Sequence, residues 1–290
     1  MGNINSGVLR PLGSTGLRCS PLGFGCYRVA DGVVEHKASL TKFLEVGGNL
    51  VDTSTNYADG QSELLVGKTL KEFSDSNVIV VTKAGYIQGQ NMALAKRSSF
   101  SEVVEYGEGI WHCIHPDFLE TQLTASCERL QRECLNVFLL HNPEYFLSHQ
   151  AHNHVPNSQD QEEFYRRISQ AFIYLENQVK KGRIEWYGIS SNNYGLPLTD
   201  PVMSSVERCL TEAESISPDH HFRVIQFPLN LYETGGVLET NNSGLSAVEF
   251  SHQKGLGVLI NRPLNAFHLN QMIRLADFSQ PDRKFLVLKK

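Results

Sequence analysis

Three short apolar runs in this chain each stop at one ionisable side chain. Leu50-Val51 ends in Asp52, Val78-Ile79-Val80-Val81-Thr82 ends in Lys83, and Val137-Phe138-Leu139-Leu140 ends in His141. A short apolar run bounded by turn residues reads as a buried strand. An ionisable side chain at its last position sits at the mouth of a core, because deeper burial would strip its hydration. Strands alternate with helical stretches along most of the chain, the pattern of a parallel sheet covered by helices. In a closed parallel barrel the carboxyl ends of the strands share one rim, where barrel enzymes keep their chemistry. The three runs therefore predict Asp52, Lys83 and His141 on one rim, with Tyr57 in the polar loop just past Asp52.

The remaining elements follow in order. Gly13-Ser14-Thr15-Gly16 is turn chemistry and predicts a hairpin over residues 9–18. A first strand is expected over 21–26 and a helix over 36–46, stopped by Gly47-Gly48. A second helix is expected over 63–73. Residues 85–115 have mixed polarity and read as a long loop over the rim, with Tyr86, Ile110 and Trp111 as candidate pocket lining or as part of a plain surface insertion. Helix 117–130 takes Asp117 as its N-cap and puts Cys127 on its apolar face with Leu119, Leu123 and Leu130. Residues 145–159 read as an exposed polar loop, since the spacing of His149, His152 and His154 matches no common zinc framework. Helix 162–181 has its apolar stripe at Phe164, Ile168, Phe172, Leu175 and Val179, and Gly182 stops it. Strands are expected over 184–190, 224–227 and 257–260, and helices over 202–214 and 244–253. After that come a helix over 269–278 and the start of an eighth strand at 285–288. A βαβ passage takes about 30 residues or more. A seventh helix, an eighth strand and an eighth helix do not fit after Leu264, so the eighth position is expected to be empty or filled by something other than a strand–helix pair.

The length, 290 residues, suits one barrel domain over 1–290. The balance of 26 basic and 31 acidic residues leaves no basic stripe, which argues against a nucleic-acid partner. No apolar run approaches the ~18 residues of a membrane span. There is no secretory apolar region, and the six cysteines are scattered without a C-x-x-C pair. Reduced thiols and a cytoplasmic location are the expectation. Met1-Gly2-Asn3-Ile4-Asn5-Ser6 fits the permissive myristoylation pattern, but no polybasic patch supplies a second membrane signal, and we read it as a chance match.

The same stretches carry a resemblance. Asp52-Thr53-Ser54-x-x-Tyr57, Thr82-Lys83 and Leu139-Leu140-His141 resemble the aldo-keto reductases, an NAD(P)-dependent family built on a (β/α)8 barrel. Leu12-Gly13-x-Thr15-Gly16-Leu17, Gly23-Phe24-Gly25, Ser62-Glu63 and Gly188-Ile189-Ser190-Ser191-Asn192 agree with it. The resemblance implies an α/β fold, a (β/α)8 TIM barrel of aldo-keto reductase type with its eighth βα unit missing or divergent. It implies reduction of an aldehyde or ketone to an alcohol, or the reverse, by Asp52, Tyr57, Lys83 and His141. The implied cofactor is NADP(H), with NAD as the alternative. Its implied contacts are Gly25, Cys26, Asp52, Ser190, Ser191, Asn192, Gln226, Arg262 and Leu264. Where the family usually has an aromatic that stacks on the nicotinamide, this chain has Asn261.

The four residue types form a consistent set. Carbonyl reduction needs a hydride donor, a proton, and groups that stabilise charge on the oxygen. A tyrosine is a weak acid, with an unperturbed pKa of about 10, and a neighbouring ammonium favours its phenolate. Lys83 is the candidate ammonium, Asp52 its counter-ion and His141 the group that orients the carbonyl. Taken singly, each has a plain reading as a loop cap, surface lysine, exposed aromatic or turn residue. Three successive strands ending this way separate the set from coincidence. Two other readings remain open here. One is a regulatory nucleotide-binding protein on a reductase-like barrel, as in the potassium-channel beta subunits; the other is an aldolase using Lys83 as a Schiff base.

Overall fold

The structure, a computed structural model, describes residues 9–73, 77–268 and 271–276. The acylation pattern at Gly2 and the strand expected at 285–288 lie outside the described residues. Seven parallel strands form one sheet: β1 (Phe24–Gly25), β2 (Leu50–Asp52), β3 (Ile79–Ala84), β4 (Leu135–His141), β5 (Ile184–Ser190), β6 (Phe222–Pro228) and β7 (Gly257–Asn261). Their order in space is their order in sequence, and the sheet curls into a half-barrel. Six helices cover it: α1 (Val34–Glu45), α2 (Gln61–Phe73), α3 (Pro116–Leu130), α4 (Ser158–Lys180), α5 (Val206–Ile216) and α6 (Ala247–Gln253).

Strand periodicity explains both the core and the rim. Successive side chains point to opposite faces of a strand. Leu50, Ile79, Val81, Val137, Leu139, Val224 and Leu259 form the inner cluster, plugged below by Leu12 of the N-terminal hairpin. Val51, Val80, Phe138, Leu140, Ile189, Ile225 and Phe227 pack outward against the helices. Two residues along from an inner apolar position come Asp52 after Leu50, Lys83 after Val81, His141 after Leu139 and Gln226 after Val224. The ionisable layer is thus the next inner layer of the same barrel.

Local sequence explains the helix ends. Asn157 and Asp160 form a reciprocal cap at the start of α4, and Gly182, with φ +71°, follows its end. The N-cap of α3 is His115 rather than Asp117: Pro116 takes the first helical position, where its missing N–H costs nothing, and His115 Nδ1 accepts the N–H of Asp117.

Three other expectations change. Residues 85–115 are not a loop. They fold into a three-stranded antiparallel sheet of Tyr86–Ile87, Ile110–His112 and Val104–Gly107, with a helix at Gln90–Ser98. Ile87, Ala95 and Cys113 of this insertion form a small core with Phe118 of α3, and Trp111 packs there instead of lining a pocket. Residues Tyr145–Gln150 are helical, because Phe146 and Leu147 find buried positions. Gln271–Arg274 is strand, not helix, and pairs antiparallel with Asn265–His268. That hairpin reaches back towards β1, where Arg28 Nη2 lies 3.5 Å from Met272 Sδ. Among the described residues the eighth position therefore holds no parallel strand.

One buried ion pair ties the wall together. Glu63 of α2 is fully buried, takes Arg129 Nε of α3 at 2.7 Å, and accepts the Thr82 hydroxyl of β3. Removing one partner of such a pair strands a buried charge at about 3–5 kcal/mol. Arg129→Met is expected to lose that much in chemical denaturation at neutral pH. A midpoint equal to the wild type would show that the pair contributes nothing.

Candidate active site

Lys83 is fully buried at the end of β3. Its ammonium donates to the Asp52 carboxylate at 2.8 Å, to the Thr53 carbonyl at 2.8 Å, and to the Tyr57 hydroxyl at 3.4 Å. An ammonium has three protons, so all of them are committed. Desolvation alone would lower the lysine's pKa, but Asp52 and Tyr57 outweigh it and hold the group above its ordinary value. Lys83 is therefore charged at neutral pH.

Tyr57 is half-buried, in a tight turn in which Ala58 and Asp59 adopt positive φ. The turn is pinned by the insertion, where Asp59 Oδ1 accepts the N–H of Gln90 at 3.1 Å. The Tyr57 ring packs edge-on against Tyr27 and His141, with centroids 5.2 and 5.9 Å apart. Burial pushes the phenol's pKa up and Lys83 pulls it back. Burial wins, so the net shift is opposite to the depression expected from the lysine alone.

His141 ends β4 and is 7% exposed. Burial, then the neighbouring Lys83 charge, holds its imidazole well below the ordinary range, so it is neutral. Ser54 Oγ lies 3.0 Å from His141 Nδ1. Ser54 also contacts Asn56 Oδ1 at 2.7 Å, and Asn56 reaches Gln88 of the insertion at 3.1 Å.

The groups expected around a cofactor continue this network. Gln226 Nε2 donates to Asp52 Oδ1 at 3.0 Å, and Ser190 Oγ donates to Gln226 Oε1 at 3.2 Å. The pairing of Ser190 with His141 on one side and Gln226 on the other sets this alignment. Ser191 and Asn192 follow β5; the Ser191 N–H donates to the Gln226 carbonyl at 2.9 Å. Gly25 is exposed on β1, whereas Cys26 is fully buried and meets the site through its main chain, its N–H donating to the Asp52 carbonyl at 2.8 Å. Arg262 pairs with Glu233 at 2.8 Å and contacts Asn192 Oδ1 at 3.2 Å. Leu264 lies on the surface beyond it, 42% exposed. His154 pairs with Asp160, His152 lies against Tyr106, and no cluster among the described residues could hold a metal ion.

Sequence reasoning did not single out Ser54, His112 or Glu144. Glu144 is 3% exposed, and its Oε1 accepts the N–H of Asn192 at 2.7 Å, joining the loops after β4 and β5. Burial pushes its pKa from 4.5 to about 7. The folded state thus favours the protonated acid. Its stabilising contribution is complete below pH about 4.5 and is lost as pH rises towards 7. Glu144→Gln keeps the acceptor and removes the ionisation. It is expected to be more stable than the wild type above pH 7, by up to about 3 kcal/mol, with the gain vanishing below pH about 4.5. Parallel melting curves at acid and alkaline pH would show a constant offset if Glu144 does not titrate this way.

Comparison with known proteins gives the family of this fold. NADH-specific methylglyoxal reductase of Escherichia coli (strain K12) is 27% identical over 139 residues, which cover 45% of this chain and 40% of that protein. L-galactose dehydrogenase of Arabidopsis thaliana is 29% identical over 197 residues, covering 66% and 49%. The matches thus span less than half of the length of these relatives. Among solved structures, an aldo-keto reductase from Bacillus halodurans superimposes with a TM-score of 0.52 at 23% identity, over 76% of this chain and 57% of the other. Glycerol dehydrogenase from Gluconobacter oxydans gives 0.54 at 19%, over 87% and 62%. These distant likenesses speak for the fold alone. The Aldo/keto reductase family profile matches residues 21–198, the span that delivers Asp52, Tyr57, Lys83, His141 and Ser190 to one rim, and by that match the chain belongs to the Aldo/keto reductase family.

Proposed function

We propose that this protein reduces a small aldehyde or ketone with NAD(P)H, with Tyr57 as the proton donor. The observation that carries the reading is the saturated ammonium of Lys83. Its three protons go to Asp52, Thr53 and Tyr57. The Tyr57 oxygen accepts from the lysine, which leaves the phenol's own proton free for a substrate oxygen. Charge that develops on the tyrosine as the proton leaves meets a fixed ammonium, so little reorganisation is needed. Asp52 keeps that ammonium charged and aimed. Neutral His141 has one ring proton. The single hydroxyl proton of Ser54 goes to Asn56 Oδ1 at 2.7 Å, so Ser54 Oγ accepts from His141 Nδ1–H, and His141 orients the substrate through its position beside the Tyr57 ring.

The residues present fit a nicotinamide cofactor. Ser190, Ser191, Asn192 and Gln226 offer the mixed donors and acceptors that a carboxamide needs. Arg262 suits a phosphate, and its Nε is buried without a partner, as is Asn261 Oδ1. When bound, NAD(P)H supplies the hydride. The aromatic residues Tyr27, Tyr57 and Tyr86 around the rim favour a compact carbonyl substrate with an apolar face.

The test is to titrate NADPH and NADH separately against the protein by fluorescence quenching. Each complex is then mixed with a panel of aldehydes and ketones while nicotinamide absorbance is followed. Turnover with either nucleotide is the expected result. Binding without turnover across the panel would favour a regulatory nucleotide-binding role, and neither binding nor turnover would overturn the reading.

A further inference from the structure

We propose that the insertion, residues 85–115, belongs to the catalytic apparatus, with His112 as the positioning residue that holds His141 in place. The proposal rests on the carbonyl-reductase reading for its kinetic consequence but not for its structural one. His112 is 2% exposed and ends the strand Ile110–His112. Its Nε2 lies 2.7 Å from the main-chain oxygen of His141. A carbonyl oxygen only accepts, so Nε2 must carry the proton and donate. Burial pulls the ring's pKa down to about 4, so the donor is a neutral imidazole with one defined tautomer.

The surroundings are built for this bond. The ring of His112 stacks on Tyr145, with centroids 5.5 Å apart and planes 9° apart. Tyr86, which pairs with His112 across the small sheet, packs edge-on against both His112 and His141. Gly85 permits the approach: a Cβ there would sit 2.5 Å from the His141 oxygen and 2.6 Å from His112 Nε2. A second bond acts on the next residue. Asn142 holds a positive φ of 52°, and its side-chain amide donates to the Tyr86 hydroxyl at 2.7 Å. The insertion therefore holds the main-chain carbonyl of His141 and, through Tyr86, the side chain of Asn142. A misplacement of about 1 Å can cost on the order of 100-fold in rate, so such a grip bears directly on turnover.

The experiment uses the full chain, ¹⁵N-labelled, with long-range ¹H–¹⁵N spectra of the histidine rings. The wild type is expected to show His112 protonated at Nε2 at neutral pH; an Nδ1–H tautomer overturns the proposal whatever the variants do. His112→Phe keeps the ring and removes the donor, whereas His112→Gln keeps a donor. In folded His112→Phe the His141 ring signals should move. The kcat for carbonyl reduction should fall about 10- to 100-fold at unchanged nucleotide affinity. His112→Gln should recover part of both. Unmoved His141 signals in a folded Phe variant, or kcat within twofold of the wild type, overturn the proposal. A wild type that reduces no carbonyl defeats the carbonyl-reductase reading instead, and the ring spectra then decide the positioning role alone.

Discussion

Tyr57→Phe is expected to slow carbonyl reduction by about 10²- to 10⁴-fold, the usual contribution of one positioned acid, while the affinity for NAD(P)H stays near that of the wild type. The substitution removes one oxygen and little else. The phenyl ring still packs against Tyr27 and His141. Lys83 loses its longest hydrogen bond, at 3.4 Å, but keeps Asp52 and the Thr53 carbonyl, both at 2.8 Å. The ammonium therefore stays charged and the rim stays folded. The groups assigned to the carboxamide, Ser190 and Gln226, do not touch Tyr57. The measurement pairs steady-state kinetics with nucleotide titration. Activity within a few-fold of the wild type would exclude Tyr57 as the proton donor. A parallel loss of nucleotide binding would mean that the phenol holds the cofactor site together instead.

Gly188→Ala carries the largest expected effect on stability. Gly188 lies in β5, between β4 and β6, where the pairing with β6 shifts register after Tyr187. A Cβ at this position would lie 1.6 Å from the main-chain oxygen of Val224, and 3.1 Å from the Leu139 side chain. The first neighbour is backbone in the middle of the sheet and cannot swing away. The strands would have to separate, breaking hydrogen bonds in the centre of the wall. Losses above about 4 kcal/mol are confined to mechanisms of this kind, and a domain has only about 5–15 kcal/mol in total. The variant is expected to be unfolded or insoluble at 37 °C. A folded protein melting within a few degrees of the wild type would show that β5 and β6 can part at little cost. In a partly folded product, the pairing of Ser190 with Gln226 should be lost first, since it lies two residues along.

Three features of the rim were legible in the sequence for one reason: a strand reports its own end. Asp52, Lys83 and His141 each follow a run whose apolar character stops abruptly, and period-two alternation then puts each on the inner face above Leu50, Val81 and Leu139. Tyr57 was legible through its short distance from Asp52. The long helix α4 was legible because apolar stripe and terminal glycine agree, although its capped start at Asn157, ahead of the expected residue 162, was not. The insertion was not. Its strands are two to four residues long, too short for alternation to register, and they hold together only by pairing across the sequence and packing on Phe118.

What the sequence by itself determined was therefore the parallel wall and which residues reach its rim, because those depend on local periodicity. Tertiary structure decided how the rim residues are used. The three acceptors of Lys83, the bond from His112 to the His141 main chain 29 residues away, and the bond from Glu144 to Asn192 48 residues away all join separate loops. The insertion's hold on the Tyr57 turn through Asp59 and Gln90 belongs with them. Hydrogen bonds of this kind act over about 3 Å, and which groups come that close is decided only when the sheet curls and the loops fold over its rim.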